Sequence, residues 1–388
     1  MLKNHTLRRE NNVGLVLTEI INQPGVSRAE IAKITNLNKA TVSEIVRDLL
    51  EKHYIEETGI GESSFSGGRR PILLKINKKA GISFSLDIRF DHVSYLASFL
   101  DGEAIETGSF DLYINSENIV NVIVDIIEKY KKNMPTTPYG IVGITIAVHG
   151  IVSDNQILYT PYYDISTLNL AEILTEELDI PVYLENEANL TALAESTLDS
   201  EHQNLITCSI HTGVGAGIII DDGLYKGHQG RSGEIGHTTL YPDGIRCTCG
   251  NSGCLEQYCS ETSLLKFYRN AHHDLNLTTE DLARDYLNEE PIAVELIDEY
   301  AKNLSIGIIN LAGMYGPEII YLSGHIINYI PSIPEKIIEH LAKTIYSWLP
   351  IKVSRIAENS SLYGATVSNI QNFFEVDYIS LSKKSLVK

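Results

Sequence analysis

Long apolar runs are missing from this 388-residue chain. The greasiest stretch, 141–148, is far shorter than the roughly 20 residues a membrane-spanning helix needs. The opening Met1-Leu2-Lys3-Asn4-His5-Thr6-Leu7-Arg8-Arg9 holds no apolar core of signal-peptide length. The expectation is a cytoplasmic protein with no membrane partner. Cysteine is scarce: five residues cannot all pair, and three of them crowd into positions 247, 249 and 254, which excludes a disulfide framework and suits a metal. Positive charge is short as well, 31 Lys and Arg against 50 Asp and Glu, so the chain as a whole repels polyanions. What remains is ordinary: 43% apolar and 21% charged residues mark a globular protein, and the length asks for two or three folding units.

The charge is unevenly spread. Residues 1–80 carry 13 Lys and Arg against 9 Asp and Glu, a net of +4, which leaves -23 beyond them. A basic end on an acidic body can meet phosphate through that end alone, because salt screens charges more than about 8–10 Å away. The local pattern agrees. Val13, Val16, Leu17, Ile20 and Ile21 share one helical face that Pro24-Gly25 closes. Ser27 and Glu30 form a capping box for a short second helix with Ile31 and Ile34 on its buried side. Asn38 caps a third, whose stripe Val42, Ile45, Val46 and Leu49 docks inward. Its other face presents Lys39, Ala40, Thr41, Ser43 and Arg47, small or cationic side chains of the kind that enter a major groove. The segments 54–59 and 72–76 predict two strands around a tip containing Gly61 and 63–66, a wing. At its base Gly67-Gly68-Arg69-Arg70-Pro71 sets Arg69 and Arg70 on a slim segment suited to a narrow minor groove. Residues 1–79 thus predict a winged helix-turn-helix that binds operator DNA, with a three-helix protein-interaction module as the alternative.

From Ala80 the texture changes to α/β. Apolar strand candidates at 82–86, 93–100, 141–148, 182–184, 205–210 and 319–322 alternate with helical stretches, notably 188–198 and 292–315. A strand-turn-strand unit at 82–100 is echoed at 205–220 through Thr212-Gly213-Val214-Gly215-Ala216-Gly217, as two similar lobes flanking a ligand cleft would require. Gly233-Glu234-Ile235-Gly236-His237 is followed by Cys247-Thr248-Cys249-Gly250-Asn251-Ser252-Gly253-Cys254-Leu255-Glu256. His237, Cys247, Cys249 and Cys254 form a Cys3His set, the pattern of a closed, structural zinc site, with reduced and unmetallated thiols as the alternative. Cys208 and Cys259 are expected to be core thiols.

On these motifs, together with Asn38-Lys39-Ala40-Thr41-Val42-Ser43, Tyr139-Gly140-Ile141-Val142-Gly143 and Ile180-Pro181-Val182-Tyr183-Leu184-Glu185-Asn186-Glu187-Ala188-Asn189, the chain resembles the ROK family (repressors, open reading frames and sugar kinases) over essentially its whole length. Within that family it is most similar to the xylose-responsive repressors of Firmicutes. The resemblance implies a body of two actin-like, ribonuclease H-like lobes, at 80–198 with about 360–388 and at 199–359, the second holding the zinc. It also implies a sugar site of Asn186, Glu187, Glu234, His237 and Glu256, with Glu187 standing where kinases of the family have a catalytic aspartate. Three carboxylates and an amide suit a neutral, hydroxyl-rich ligand such as xylose and would repel a phosphosugar.

Departures from the family pattern point away from catalysis. Where a family kinase has Asp-x-Gly-Gly-Thr, a turn whose backbone amides approach ATP phosphates, this chain has Asp87-Ile88-Arg89-Phe90-Asp91. The adenosine-side Gly-Gly is Ser323-Gly324-His325, and only the second phosphate loop, 212–217, survives; His149-Gly150, in place of a frequent Pro-Gly, is a departure that bears on the fit of the sugar instead. The implied function is repression by a homodimer, released when sugar closes the lobes. A repressor answering to another sugar, or an ATP-dependent sugar kinase with a DNA-binding domain, stands as the alternative.

Overall fold

The structure is a computed structural model that describes residues 2–60, 70–161, 164–199, 201–356 and 359–381, the side chains of residues 2–10 and 60 excepted. Its described residues fall into two compact units. One comprises residues up to 146, 169–184 and from 365 on; the other comprises 147–168 and 185–364. Among the described residues no helix is long and apolar enough to cross a membrane.

The first unit opens with three helices, α1 (Leu2–Asn22), α2 (Arg28–Ile34) and α3 (Lys39–Glu51), and three strands, β1 (Val26–Ser27), β2 (Ile55–Ile60) and β3 (Ile72–Ile76). Val16, Leu17 and Ile20 of α1 are buried with Ile31 of α2 and with Val42, Ile45, Val46 and Leu49 of α3, and the fully buried Leu74 comes from β3. Burial at this level stabilises by about 1.5–3 kcal/mol per large aliphatic side chain. Both expected caps are present. Ser27 N–H donates to Glu30 Oε2 at 2.8 Å while Glu30 N–H donates to Ser27 Oγ, and Thr41 N–H donates to Asn38 Oδ1 at 2.8 Å. Two details differ from the sequence reading. Ile34 is 45% exposed, because α2 ends at that residue and the inward positions are Ile31 and Ala32. The wing sheet has a third strand: β1 pairs antiparallel with β3, Val26 opposite Leu74, giving the order β1-β3-β2.

The same unit carries, apart from residues 147–148 and 185–186 at two strand ends, a five-stranded sheet in the order Val182–Asn186, Ile141–Val148, Ile82–Ile88, His92–Phe99, Ala104–Asp111. The last of these has no counterpart in the sequence reading, since its exposed, polar residues give no apolar alternation. Phe84 stacks on Tyr95 with ring centroids 5.4 Å apart and meets Tyr130 of the helix Ile119–Lys131 edge-on at 5.2 Å.

The second unit is built on another five-stranded sheet, Gly223–Leu224, Val214–Ile220, Leu205–Ile210, Ile319–Ser323, Ile351–Val353. Its hairpin of Leu205–Ile210 and Val214–Ile220 is antiparallel, as is the Ile82–Ile88 and His92–Phe99 hairpin of the first sheet, so the sequence echo is a repeated local structure. The helix Pro291–Tyr315 buries Tyr300, Leu304, Ile308 and Leu311 in the core of this unit with Ile206, Ile210, Ile320 and Leu322. The helix Glu187–Leu198, grouped with the first lobe in the sequence reading, belongs to the second unit, and its residues 187–197 are all buried. It lies against Val214–Ile220, where a Cβ on Gly217 would stand 2.2 Å from the Ala188 carbonyl oxygen and 2.5 Å from Ala192 Cβ. Small residues on both sides make that approach possible.

The capping box gives a pH-dependent test. Hydrogen bonds from the Ser27 backbone and side chain hold the Glu30 carboxyl below its usual range. That stabilisation is present above the ordinary Glu pKa and is lost as pH falls through the lower folded value. Ser27→Ala should therefore cost about 1 kcal/mol in urea unfolding at neutral pH and less at acid pH. A difference from the parent that does not shrink in acid would show that the Ser27 hydroxyl is not coupled to the Glu30 charge, since alanine keeps the backbone N–H that donates to Glu30.

Candidate functional site

On α3, Lys39, Ala40, Ser43 and Arg47 are exposed and Thr41 is half-buried, so the outward face is the expected one. Ser43 Oγ donates to the Lys39 carbonyl at 2.7 Å, and Arg47 lies 3.7 Å from Asp48 and 4.0 Å from Glu51. Such exposed pairs are weak and can be exchanged for phosphate. Arg70 is exposed just ahead of β3, whereas Arg69, Gly67, Gly68 and the tip 63–66 lie outside the described residues.

Asn186, Glu187, Glu234, His237 and Glu256 all fall in the second unit. Asn186 caps the helix Glu187–Leu198: its Oδ1 accepts from Asn189 N–H at 3.1 Å and its Nδ2 donates to the Gly150 carbonyl at 2.8 Å. One N–H and one lone pair of the amide are left for a ligand. Glu187 is buried and already engaged. Ser209 Oγ lies 2.8 and 2.9 Å from its two oxygens, Thr191 Oγ1 donates to Oε1 at 2.9 Å, and His211 Nε2 is 4.0 Å away. Glu256 is buried, with Oε2 accepting from Val214 N–H at 3.2 Å. Burial pushes the Glu256 carboxyl up; burial, with the nearby Glu256 charge adding, does the same to Glu234. The sequence reading did not find Ser209 or Thr191, and it named Gly150 and Val214 without their contacts to Asn186 and Glu256. Two act through the backbone and two are plain hydroxyl positions, so only the partner across the fold identifies them.

The ligand atoms of His237, Cys247, Cys249 and Cys254 all lie within 4.8 Å of one another. Cys249 and Cys254 sulfurs are 3.7 Å apart, and His237 Nδ1 is 3.6 Å from Cys247 Sγ. Tetrahedral zinc with Zn–S bonds near 2.3 Å sets its sulfurs about 3.8 Å apart, so the donor set fits such an ion. Burial and the adjoining thiols push Cys254 up to about 12, a penalty on closely spaced thiolates that a divalent cation would remove. His237 turns Nδ1 to the cysteines, and its Nε2 lies 3.8 Å from Glu234 Oε2. Gln257 and Asn251 side-chain amides donate to Cys247 and Cys254 sulfurs at 3.6 Å each, an outer set of contacts that steadies the ligands. Gly253, at φ +72, has no room for a side chain, since its Cβ would meet the Tyr241 carbonyl oxygen at 1.6 Å. Cys208 and Cys259 are buried elsewhere in the core of the unit.

In the first unit, Asp87 is buried on the strand Ile82–Ile88, and Arg89 Nε turns back to 3.7 Å from its Oδ1. The Asp87 carboxylate thus faces a cation of its own chain.

A model described as the ROK family matches residues 96–370, and one described as winged helix-turn-helix DNA-binding matches 12–56. A xylose repressor of Bacillus spizizenii is 34% identical over 384 residues, covering 97% of this chain and 99% of the relative. A solved ROK family transcriptional regulator, a homologue of the E. coli MLC protein, superposes with a TM-score of 0.80 at 26% identity, over 95% of this chain and 97% of that one. A ROK family glucokinase from Streptomyces griseus, solved with glucose and AMPPNP, shares the fold at a TM-score of 0.65 and 22% identity, over 74% of this chain and 98% of that one. By its motifs, its fold and these likenesses, the chain is a member of the ROK family.

Proposed function

We propose that this protein is a sugar-responsive transcriptional repressor and not an enzyme, with xylose as its effector. The observation that carries the reading is the pairing, in one chain, of an exposed winged-helix face with a sugar-kinase-like body whose first phosphate turn is filled by Arg89 and Phe90. The near full-length likeness to a xylose repressor supports both the repressor role and the choice of sugar. Lys39, Ala40, Thr41, Ser43 and Arg47 would meet base edges and phosphates of the operator, with Arg69 and Arg70 toward the minor groove. Asn186, Glu187, Glu234, His237 and Glu256 would take sugar hydroxyls. Zinc held by His237, Cys247, Cys249 and Cys254 would be structural, since four protein ligands leave no open position. Two copies would grip a two-fold operator in the cytoplasm, and sugar would favour the state with the lower operator affinity.

Purified protein should contain about one zinc per chain, and Cys249→Ser should lose it together with the sugar response. Metal analysis of a chelator-free preparation that finds no zinc would remove the ion from this account. In a coupled ADP-release assay with xylose and glucose there should be no turnover; rates near the usual 1–10³ s⁻¹, to order of magnitude, would make the protein a kinase.

Arg70→Ala should weaken operator binding and lower its salt slope by about one while xylose binding is kept. Glu256→Ala should bind operator as the parent does yet no longer be released by xylose. A Glu256→Ala protein released as readily as the parent would show that the sugar site lies elsewhere.

A further inference from the structure

The segment Thr212-Gly213-Val214-Gly215-Ala216-Gly217 keeps a phosphate-loop pattern in a chain whose other phosphate turn is filled. None of its three glycines adopts a left-handed φ, so backbone freedom does not account for them. Close approach does. Gly217 meets the backbone of Ala188, and a Cβ on Gly215 would stand 3.2 Å from Ala188 Cβ, both beneath the helix that starts at Glu187. Gly213 is different. A Cβ there would lie 2.5 Å from Glu256 Oε2, the oxygen that accepts from the next residue's N–H, Val214, at 3.2 Å. Val214 is approached from its other side too, since a Cβ on Gly236, beside His237, would meet the Val214 carbonyl oxygen at 2.2 Å. The backbone N–H that a phosphate loop would offer to an anion is therefore spent on a carboxylate of the chain itself.

We infer that Gly213 is a positioning residue for Glu256, and that 212–217 serves the sugar side of this site and not a nucleotide. The inference rests on the reading of Glu256 as a sugar ligand. The obstacle to a side chain at Gly213 is the far end of a flexible carboxylate, not backbone, so the fold can yield cheaply. What yields is the functional group: restoring ordinary contact displaces Oε2 by about 1 Å and breaks its hydrogen bond to Val214.

The test is calorimetric titration with xylose, and with glucose as a second probe, of the parent, Gly213→Ala, Glu256→Asp and the double variant. Gly213→Ala should bind xylose about tenfold to a hundredfold more weakly, as expected for losing a charge-assisted hydrogen bond geometry. Its operator affinity, metal content and sugar-free melting temperature should match the parent's. The double variant should bind xylose about as Glu256→Asp alone does, so that the two losses fail to add, because the shorter carboxylate clears the added methyl; a role for Gly213 independent of Glu256 would give additive losses. Gly213→Ala binding xylose like the parent, losses that add in the double variant, or a rise in parental melting temperature with MgATP would each overturn the inference. A parent that binds neither sugar would overturn the functional reading itself, which keeps the two failures distinct.

Discussion

The convergence of one imidazole and three thiols within 4.8 Å is the constraint on which the placement of Glu234 and Glu256 depends. Between His237 and Glu256 the chain forms only turns and the isolated bridges Thr239–Cys254 and Arg246–Ser252. Such a segment has too few ladder hydrogen bonds to offset the entropy of ordering about 1–2 kcal/mol per residue. A cross-link through a metal would supply the difference. Glu234 and Glu256 sit at the two ends of this segment, three residues before the histidine and two after the last cysteine. Ordering the cluster therefore orders both carboxylates, so that a bound ion would act through their position and not through chemistry of its own.

In a body that binds sugar without phosphorylating it, as proposed, binding energy would serve a different end from that in a kinase. In an enzyme, contacts matter when they strengthen on the way to the transition state; in a sensor they matter when they differ between two conformational states. Glu187 illustrates the difference. Its carboxylate is buried and takes hydrogen bonds from Ser209 and Thr191, an arrangement that fixes an acceptor well but leaves little freedom for proton transfer. In the first unit Arg89 folds back on Asp87, so that this carboxylate too is engaged within the chain.

Much of this was legible in the sequence because the signals are local. Ser27 with Glu30 and Asn38 with Thr41 form their caps as the spacing predicts, since a cap spans three residues. The His237 and cysteine spacing foretold the cluster because its four members lie within 18 positions of the chain. The two hairpins at 82–99 and 205–220 were visible as a repeated strand-turn-strand rhythm. What stayed hidden depends on distant partners. Ser209 is an unremarkable strand serine until Glu187 appears 2.8 Å away across 22 residues, and the need for glycine at 213 follows from a carboxylate 43 positions on. Strand β1 has two residues, too few for a period to show, and helix Glu187–Leu198 gives no inside or outside because residues 187–197 are all buried.

The account stands on a negative coupling between sugar and operator, and thermodynamic linkage makes that coupling reciprocal. The most direct measurement is the xylose dissociation constant of the free protein and of the same protein saturated with operator, set beside the operator dissociation constant with and without saturating xylose. The account predicts that operator weakens xylose binding by the same factor by which xylose weakens operator binding, a factor of about 5–150 for ordinary allosteric proteins. Equal xylose affinity in the free and operator-bound protein would contradict it.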